Sequence, residues 1–254
     1  MLAVRDLAFG YGSRVVGRGV TFTLPAGQSL AVLGSNGSGK TTLFRTVLGL
    51  LPAIEGTIAI DAALLTSLAP AARARKLAYV PQQSPDGFAF TVRDAVLMGR
   101  AANVGWFAEP GPRDRAAADA ALDRVGIARL ATRPMTEISG GERQLALFAR
   151  ALAQGADILV LDEPTANLDF GNKLRVLEEI ERLRSEGRTI LFSTHDPDQA
   201  LAHADRALLL ADGGVLAHDT VAAALTDATL SALYAVPVRV TEVDGVRRAF
   251  AVRR

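Results

Sequence analysis

GSNGSGKTT, Gly34 to Thr42, is the stretch on which the fold turns. It fits G-x-x-x-x-G-K-[ST], with Gly34, Gly39, Lys40 and Thr41 at the required places. An apolar run, SLAVL, precedes it, and KTTLFRTVLGLL reads as a helix stopped by Pro52. Strand, glycine-rich loop and helix in that order make a phosphate cradle. Glycines let the backbone curl so that successive N–H groups point inward, and the helix N-terminus adds positive potential for phosphate oxygens. Ser35, Asn36, Gly37, Ser38 and Thr42 complete the candidate binding loop. Lys40 would bridge the outer phosphates, and Thr41 offers a hydroxyl to Mg²⁺. A glycine-rich turn that merely caps a helix would meet only part of this pattern.

Phosphoryl transfer also needs a carboxylate at the end of a buried strand. DILVLDEP supplies one, an apolar run ending in Asp162 and Glu163. Asp162 can hold Mg²⁺ through water, and Glu163 is then placed to polarise an attacking water. Acids often end strands, so the pair gains its meaning from the cradle upstream. His195 ends another apolar run, TILFSTH. A lone histidine there is more often structural; beside two other strand-end groups, its imidazole would donate to a phosphate oxygen and orient the water.

The bulk numbers allow this chemistry and exclude others. The chain has 254 residues, 49% of them hydrophobic and 22% charged, enough for one large domain with a real core. A net charge of +1 argues neither for nucleic acid nor for a strongly acidic partner. With no cysteine, disulfides and thiol catalysis are out. No segment reaches the roughly 18 uninterrupted apolar residues of a membrane helix, so a soluble chain is expected, with any membrane role peripheral.

Around the cradle, LAVRDLAF, VTFTL and GTIAID read as further strands separated by GYGS and PAGQ. Residues from about 85 to 157 are rich in alanine and arginine, with helical spacing and no convincing strand. There, Thr91 and Asp94 pattern as a capping box opening TVRDAVLMGR, and a second helix follows the Gly/Pro joint GWFAEPGP. The helix KLRVLEEIERLRSEG aligns Leu174, Leu177, Ile180 and Leu183 on one face, with Gly187 as its stop. Two hairpins are expected, at Asp212-Gly213-Gly214 and at Asp244-Gly245. The whole reads as an α/β core with a helical insertion.

In this order the motifs resemble the nucleotide-binding subunit of ATP-binding cassette (ABC) transporters. GSNGSGKT is similar to the Walker A loop, ILVLDE to Walker B, ISGGERQ to the family signature and ANLD to the D-loop. YVPQQ resembles the Q-loop, with Gln82 the better match than Gln83, and Tyr11 resembles the aromatic that stacks on adenine. His195 is similar to the switch histidine. Ile138 stands for the usual leucine and should keep the signature turn buried; Glu142 stands for the common glutamine, which leaves any polar contact from that position open.

The resemblance implies a P-loop NTPase (RecA-like) core with an N-terminal antiparallel β subdomain and an inserted α-helical subdomain. Residues 1–84 and 157–235 would form the core and β subdomain and 85–156 the signature subdomain; the similarity runs from about Leu2 to His218, and 236–254 is the C-terminal hairpin read from the residues themselves. It implies ATP and Mg²⁺, with Lys40, Gln82, Glu163 and His195 as catalytic groups and Thr41, Gln82 and Asp162 toward the metal. Two copies would close head to tail, so that Ser139, Gly140 and Gly141 of one reach the γ-phosphate held by the other. Further implied partners are an integral membrane permease dimer and a separate substrate-binding protein, at the cytoplasmic face of the inner or plasma membrane.

Within the family, FTVRDAVLMGR and EPTANLDFGN resemble the branch that imports iron–siderophore complexes, haem, cobalamin or molybdate. The permease contact is expected between Gln82 and Arg100. Phe88, Phe90, Val92, Leu97 and Met98 would line its groove or serve as subdomain core. The alternative is a soluble ABC ATPase acting on DNA or ribosomes; there is neither a long heptad run between Lys40 and Ser139 nor a second cassette, and no basic stripe for nucleic acid.

Overall fold

The run SLAVL forms a five-residue strand, Ser29–Leu33, in which every residue is buried. A computed structural model describes residues 1–82, 90–104, 109–166 and 168–252. It divides the chain into two units, one of residues 1–68 and 184–254, the other of residues 69–183.

In chain order, the first unit opens with β1 (Leu2–Tyr11), β2 (Arg14–Leu24), β3 (Ser29–Leu33), α1 (Lys40–Val47), β4 (Glu55–Ile60) and β5 (Ala63–Leu64). The second holds α2 (Pro70–Lys76), β6 (Leu77–Val80), α3 (Val92–Leu97), α4 (Pro112–Arg124), α5 (Gly140–Gln154), β7 (Ile158–Leu161) and nearly all of α6 (Phe170–Ser185). The first unit resumes with β8 (Thr189–Thr194), α7 (Pro197–His203), β9 (Arg206–Ala211), β10 (Gly214–Thr220), α8 (Val221–Ala224), α9 (Asp227–Tyr234), β11 (Val238–Val243) and β12 (Val246–Ala251).

In the first unit, β2, β1, β4 and β5 make the expected antiparallel sheet. The strand order β10-β9-β3-β8 makes another, with β8 and β9 both parallel to β3. Parallel strands covered on both faces need apolar residues at successive positions, which is why SLAVL, TILFS and ALLL read as unbroken runs. The start of β3 is fixed by a polar latch. Ser29 is fully buried and satisfied: its N–H donates to Asp205 at 2.8 Å and its hydroxyl to the same carboxylate at 2.9 Å. Arg184 neutralises the other carboxylate oxygen at 2.7 Å. Both hairpins form as expected, with Asp212 and Gly213 at φ 49° and 72° and Asp244 and Gly245 at φ 51° and 77°.

Helix α1 ends earlier than the sequence suggests. Gly49 adopts φ 67°; its N–H returns to Thr46 and that of Leu50 to Arg45, closing the last turn before Pro52 is reached.

In the second unit, β6 and β7 pair in parallel, with Val80 opposite Leu161. Neither α2 nor the four-residue strand β6 stands out in the sequence, because each is too short to show a period. The Thr91–Asp94 capping box at α3 is present. Helices α3 and α4 both pack on α5. On α6, Leu177, Ile180 and Leu183 are buried with Val176 and Glu179, whereas Leu174 is exposed; the buried stripe begins one turn later than the leucine spacing implies. Glu179 tolerates burial because Arg124 of α4 donates to it. Val92 is fully buried and belongs to the core, Phe90 and Met98 are exposed, and Phe88 lies outside the described residues.

Candidate functional site

The candidate residues fall into two groups, one in each unit. The first begins where β3 and β8 end. Leu33 pairs with Thr194, so Gly34 and His195, the next residues along, leave the same end of the sheet. The loop then turns into α1 through Gly39, whose φ of 97° is open to glycine and costly for other residues. Space enforces the same choice, since a Cβ at Gly39 would lie 2.8 Å from Val16. At Gly34 it would lie 2.3 Å from the Ser38 hydroxyl and 2.8 Å from the Leu210 carbonyl.

Lys40, only 6% exposed, curls back to donate from Nζ to the carbonyls of Gly34 at 2.8 Å and Ser35 at 3.2 Å. An ammonium resting on loop carbonyls is poised for stronger acceptors at the same place. Ser38 Oγ is buried with no hydrogen-bond partner among the described residues, the mark of a group whose partner comes from outside. Thr41 is half-buried beside it, and the Thr42 hydroxyl donates to the phenol oxygen of Tyr11 at 3.4 Å. Tyr11, at the end of β1, keeps 47% of its surface in solvent and thus offers a ring face near the loop. His195 is exposed, and its carbonyl accepts from the Tyr234 hydroxyl at 3.0 Å.

The second group stands at the ends of β6 and β7. The Asp162 N–H donates to Val80 at 2.8 Å, extending the ladder by one rung and burying the aspartate to 1% exposure. Glu163 then breaks away at φ 47°, a left-handed conformation that costs a residue with a side chain of order 1–3 kcal/mol. Its carboxylate accepts from Gln82 Nε2 at 3.1 Å, bringing together two residues 81 apart in sequence. A further link escaped the sequence reading. Gln144, buried in the first turns of α5, donates to the carbonyl of Pro81 at 3.1 Å and so ties the ISGGERQ helix to the residue before Gln82. Burial of a glutamine on an otherwise apolar helix face is the only trace of this in the sequence.

ISGGERQ itself builds a helix start. Ile138 is buried, as expected, and Ser139 caps α5. The Ser139 hydroxyl accepts from the Glu142 N–H at 3.2 Å and donates to the Glu142 carboxylate at 3.0 Å, which also takes the Ser139 N–H at 3.1 Å. Glu142 therefore does keep a polar role. The Ser139 N–H first, then its hydroxyl and the guanidinium of Arg129 hold its carboxyl below the usual range. This stabilisation is present above the ordinary carboxylate range and lost as pH falls through the depressed value. Glu142→Ala is expected to lower stability by about 1 kcal/mol, the worth of half a capping box. A denaturation midpoint equal to that of the parent would refute the capping role. At Gly140, a Cβ would meet nothing within 4 Å. Nothing among the described residues demands glycine there.

Taken by donor type, the hydroxyl of Thr41 in the first unit and the amide and carboxylate oxygens of Gln82 and Asp162 in the second are hard oxygen ligands, the kind that suits Mg²⁺ over a soft transition metal. The buried, unpartnered hydroxyl of Ser38 and the carbonyl-bound Lys40 suit phosphate oxygens.

Comparison with known proteins gives these groups a context. Residues 18–166 match the family described as ABC transporter. An uncharacterized ABC transporter ATP-binding protein of Haemophilus influenzae is 43% identical over 210 residues, covering 83% of this chain and 80% of that one. The hemin import ATP-binding protein of Deinococcus radiodurans is 39% identical over 246 residues, 95% and 92% of the two chains. Among solved structures, a transporter described as metal-chelate type, in an inward-facing conformation, superposes with a TM-score of 0.86 at 34% identity. That match covers 100% of this chain and 98% of the other.

Proposed function

The chain belongs to the ABC transporter family as one of its ATP-binding ATPases, and from that premise we propose that it is the motor of a metal-chelate importer. In this reading it closes as a head-to-tail homodimer on two ATP molecules and drives a separate membrane permease dimer fed by a substrate-binding protein. The cargo is an iron–siderophore complex, haem, cobalamin or molybdate. The hemin-importing relative and the metal-chelate type neighbour support that class. Among the described residues no helix is long and apolar enough to cross a membrane, which fits a peripheral subunit at the cytoplasmic face of the inner or plasma membrane.

The observation that carries the reading is the contact between Gln82 and Glu163. Gln82 heads the segment assigned to the permease, so a pull on that segment acts directly on the carboxylate that serves the water. A cavity of about 970 Å³ in the second unit, lined by Ala71, Ala74, Leu97, Met98, Ala101 and Val104, supports the same assignment as a seat for a permease helix. Among described residues from 90 to 154 the regular elements are all helical, which supports 85–156 as the signature subdomain. The division into 1–84 and 157–235 for the core and 236–254 for the hairpin belongs to the same proposal.

Each side chain then has a defined task. The loop amides from Gly34 to Thr42 and the start of α1 bind phosphate oxygens, and Lys40 exchanges its carbonyl acceptors for the outer phosphates. Tyr11 stacks on the base. Thr41, Gln82 and Asp162 would hold Mg²⁺, which when bound offsets phosphate charge. Glu163 takes the proton of the attacking water, and His195 orients that water. Ser139, Gly140 and Gly141 complete the partner's site, which accounts for a glycine at position 140 that the described residues of its own chain do not require.

Purification from detergent-solubilised membranes is expected to retain an integral membrane protein. In vesicles, the pair should take up iron, cobalt or molybdenum, read by elemental analysis, only when ATP is present. Recovery of the chain alone, with turnover indifferent to any membrane protein, would overturn the reading.

A further inference from the structure

The C-terminal hairpin carries no motif, yet its contacts run in a closed circuit through His195. Starting from β8, the Thr194 hydroxyl accepts from the Asp196 N–H at 3.1 Å and donates to Gln199 at 3.1 Å. Asp196 caps α7 by accepting from the Asp198 N–H at 3.0 Å. The other end of the circuit fastens on α7 as well: Asp198 accepts from the Ala249 N–H of β12 at 2.8 Å and from Arg248 at 3.3 Å. From β12 the ladder leads to β11, which is pinned to α9 twice. Val240 donates to Asp227 at 2.7 Å and Val238 to the Ser231 hydroxyl at 2.8 Å. Helix α9 ends in Tyr234, whose hydroxyl donates to the carbonyl of His195 at 3.0 Å.

We propose that Tyr234 is a positioning residue for His195 and that the hairpin is the brace that keeps the two engaged. Its outward face is poorly suited to any other part in folding. Val243, Val246 and Phe250 are all exposed, and the polar contacts just named, with Arg247 donating to the Leu225 carbonyl at 3.2 Å, fasten β11 and β12 to the helices beside them. The donor is also a constant one. Burial, helped by the negative charge of Asp196, pushes the Tyr234 phenol up to about 12, so it keeps its proton wherever the protein works. A carbonyl fixed by such a donor restricts the backbone that carries the imidazole, which is what a water-orienting group needs.

The inference rests on the assignment of His195 to the hydrolytic step, and the test separates the two. Tyr234→Phe deletes one hydroxyl and keeps the ring. It is expected to lower kcat by about three- to ten-fold, the size of one neutral hydrogen bond, with KM for ATP unchanged and the melting midpoint lowered by no more than that one bond accounts for. The chain holds only three histidines, so the imidazole resonances of His195 can be followed by NMR and should shift in Tyr234→Phe and in Asp198→Ala. In a His195→Ala background, Tyr234→Phe should cost nothing further. Equal losses in both backgrounds, or an unmoved His195 resonance, overturn the positioning role. Full turnover in His195→Ala with a shifted resonance in Tyr234→Phe would instead remove the catalytic assignment and leave the brace standing.

Discussion

Glu163→Gln is expected to cut ATP hydrolysis by about 10²–10⁴-fold, the range for losing a positioned general base, while ATP stays bound. The substitution is close to isosteric. A carboxamide oxygen still accepts from Gln82 Nε2, now at 3.1 Å from the carboxylate, so the shape of the corner survives. What disappears is the capacity to take a proton from water. The loop from Gly34 to Thr42 belongs to another part of the chain and is left intact. Binding without turnover should accumulate the closed, ATP-filled dimer, visible by light scattering as a doubling of mass. A variant that remains monomeric in saturating Mg-ATP argues against the head-to-tail sandwich, and one that turns over like the parent removes Glu163 from the chemistry.

Ser139→Arg carries the second large effect. Ser139 is exposed and starts the 15-residue helix α5, and its hydroxyl is engaged with the capping residue Glu142. A guanidinium at that position cannot cap the helix, and it occupies the open ground over Gly140 where a phosphate of the second copy would approach. Hydrolysis should fall to background, roughly the 10²–10³-fold or more that follows loss of a donor to developing phosphate charge. Nucleotide affinity, measured with a fluorescent ATP analogue, should stay within two- to three-fold of the parent, about 0.5 kcal/mol. Loss of the cap costs about 1 kcal/mol of stability, so the melting midpoint is read alongside. Unchanged turnover would refute the cross-copy contact.

How much of this can be read from the chain alone follows from distance along it. The phosphate loop is nine consecutive residues whose spacing is itself the geometry, with Gly39 turning at φ 97° and Lys40 folding back onto the Gly34 carbonyl. Asp162 and Glu163 are equally local, each at the end of an apolar run. The contact between Gln82 and Glu163 is of another kind. It depends on β6 lying parallel to β7, and β6 is four residues long with no period to announce it. Resemblance identified Gln82; no spacing rule would have. Gln144 and Tyr234 were missed for the same reason, since each acts by a single hydrogen bond to a backbone carbonyl remote in sequence. Near Glu142 the failure was different. S-x-x-E opening an apolar run is a capping box, written in ISGGERQ as plainly as in the Thr91 segment, where the paired glycines between its ends also suit a phosphate-approaching turn.

The left-handed backbone of Glu163 sets two kinds of improvement against each other. Glycine or asparagine would sit at φ 47° with less steric cost, so a search that ranks variants by robustness to heat has a reason to discard the glutamate. On the proposed assignment of Glu163 to the attacking water, a search that ranks them by work done per ATP has every reason to keep it. The residue thus marks where this protein's durability has been held below what its fold allows, and any engineered version should be selected for transport before it is selected for endurance.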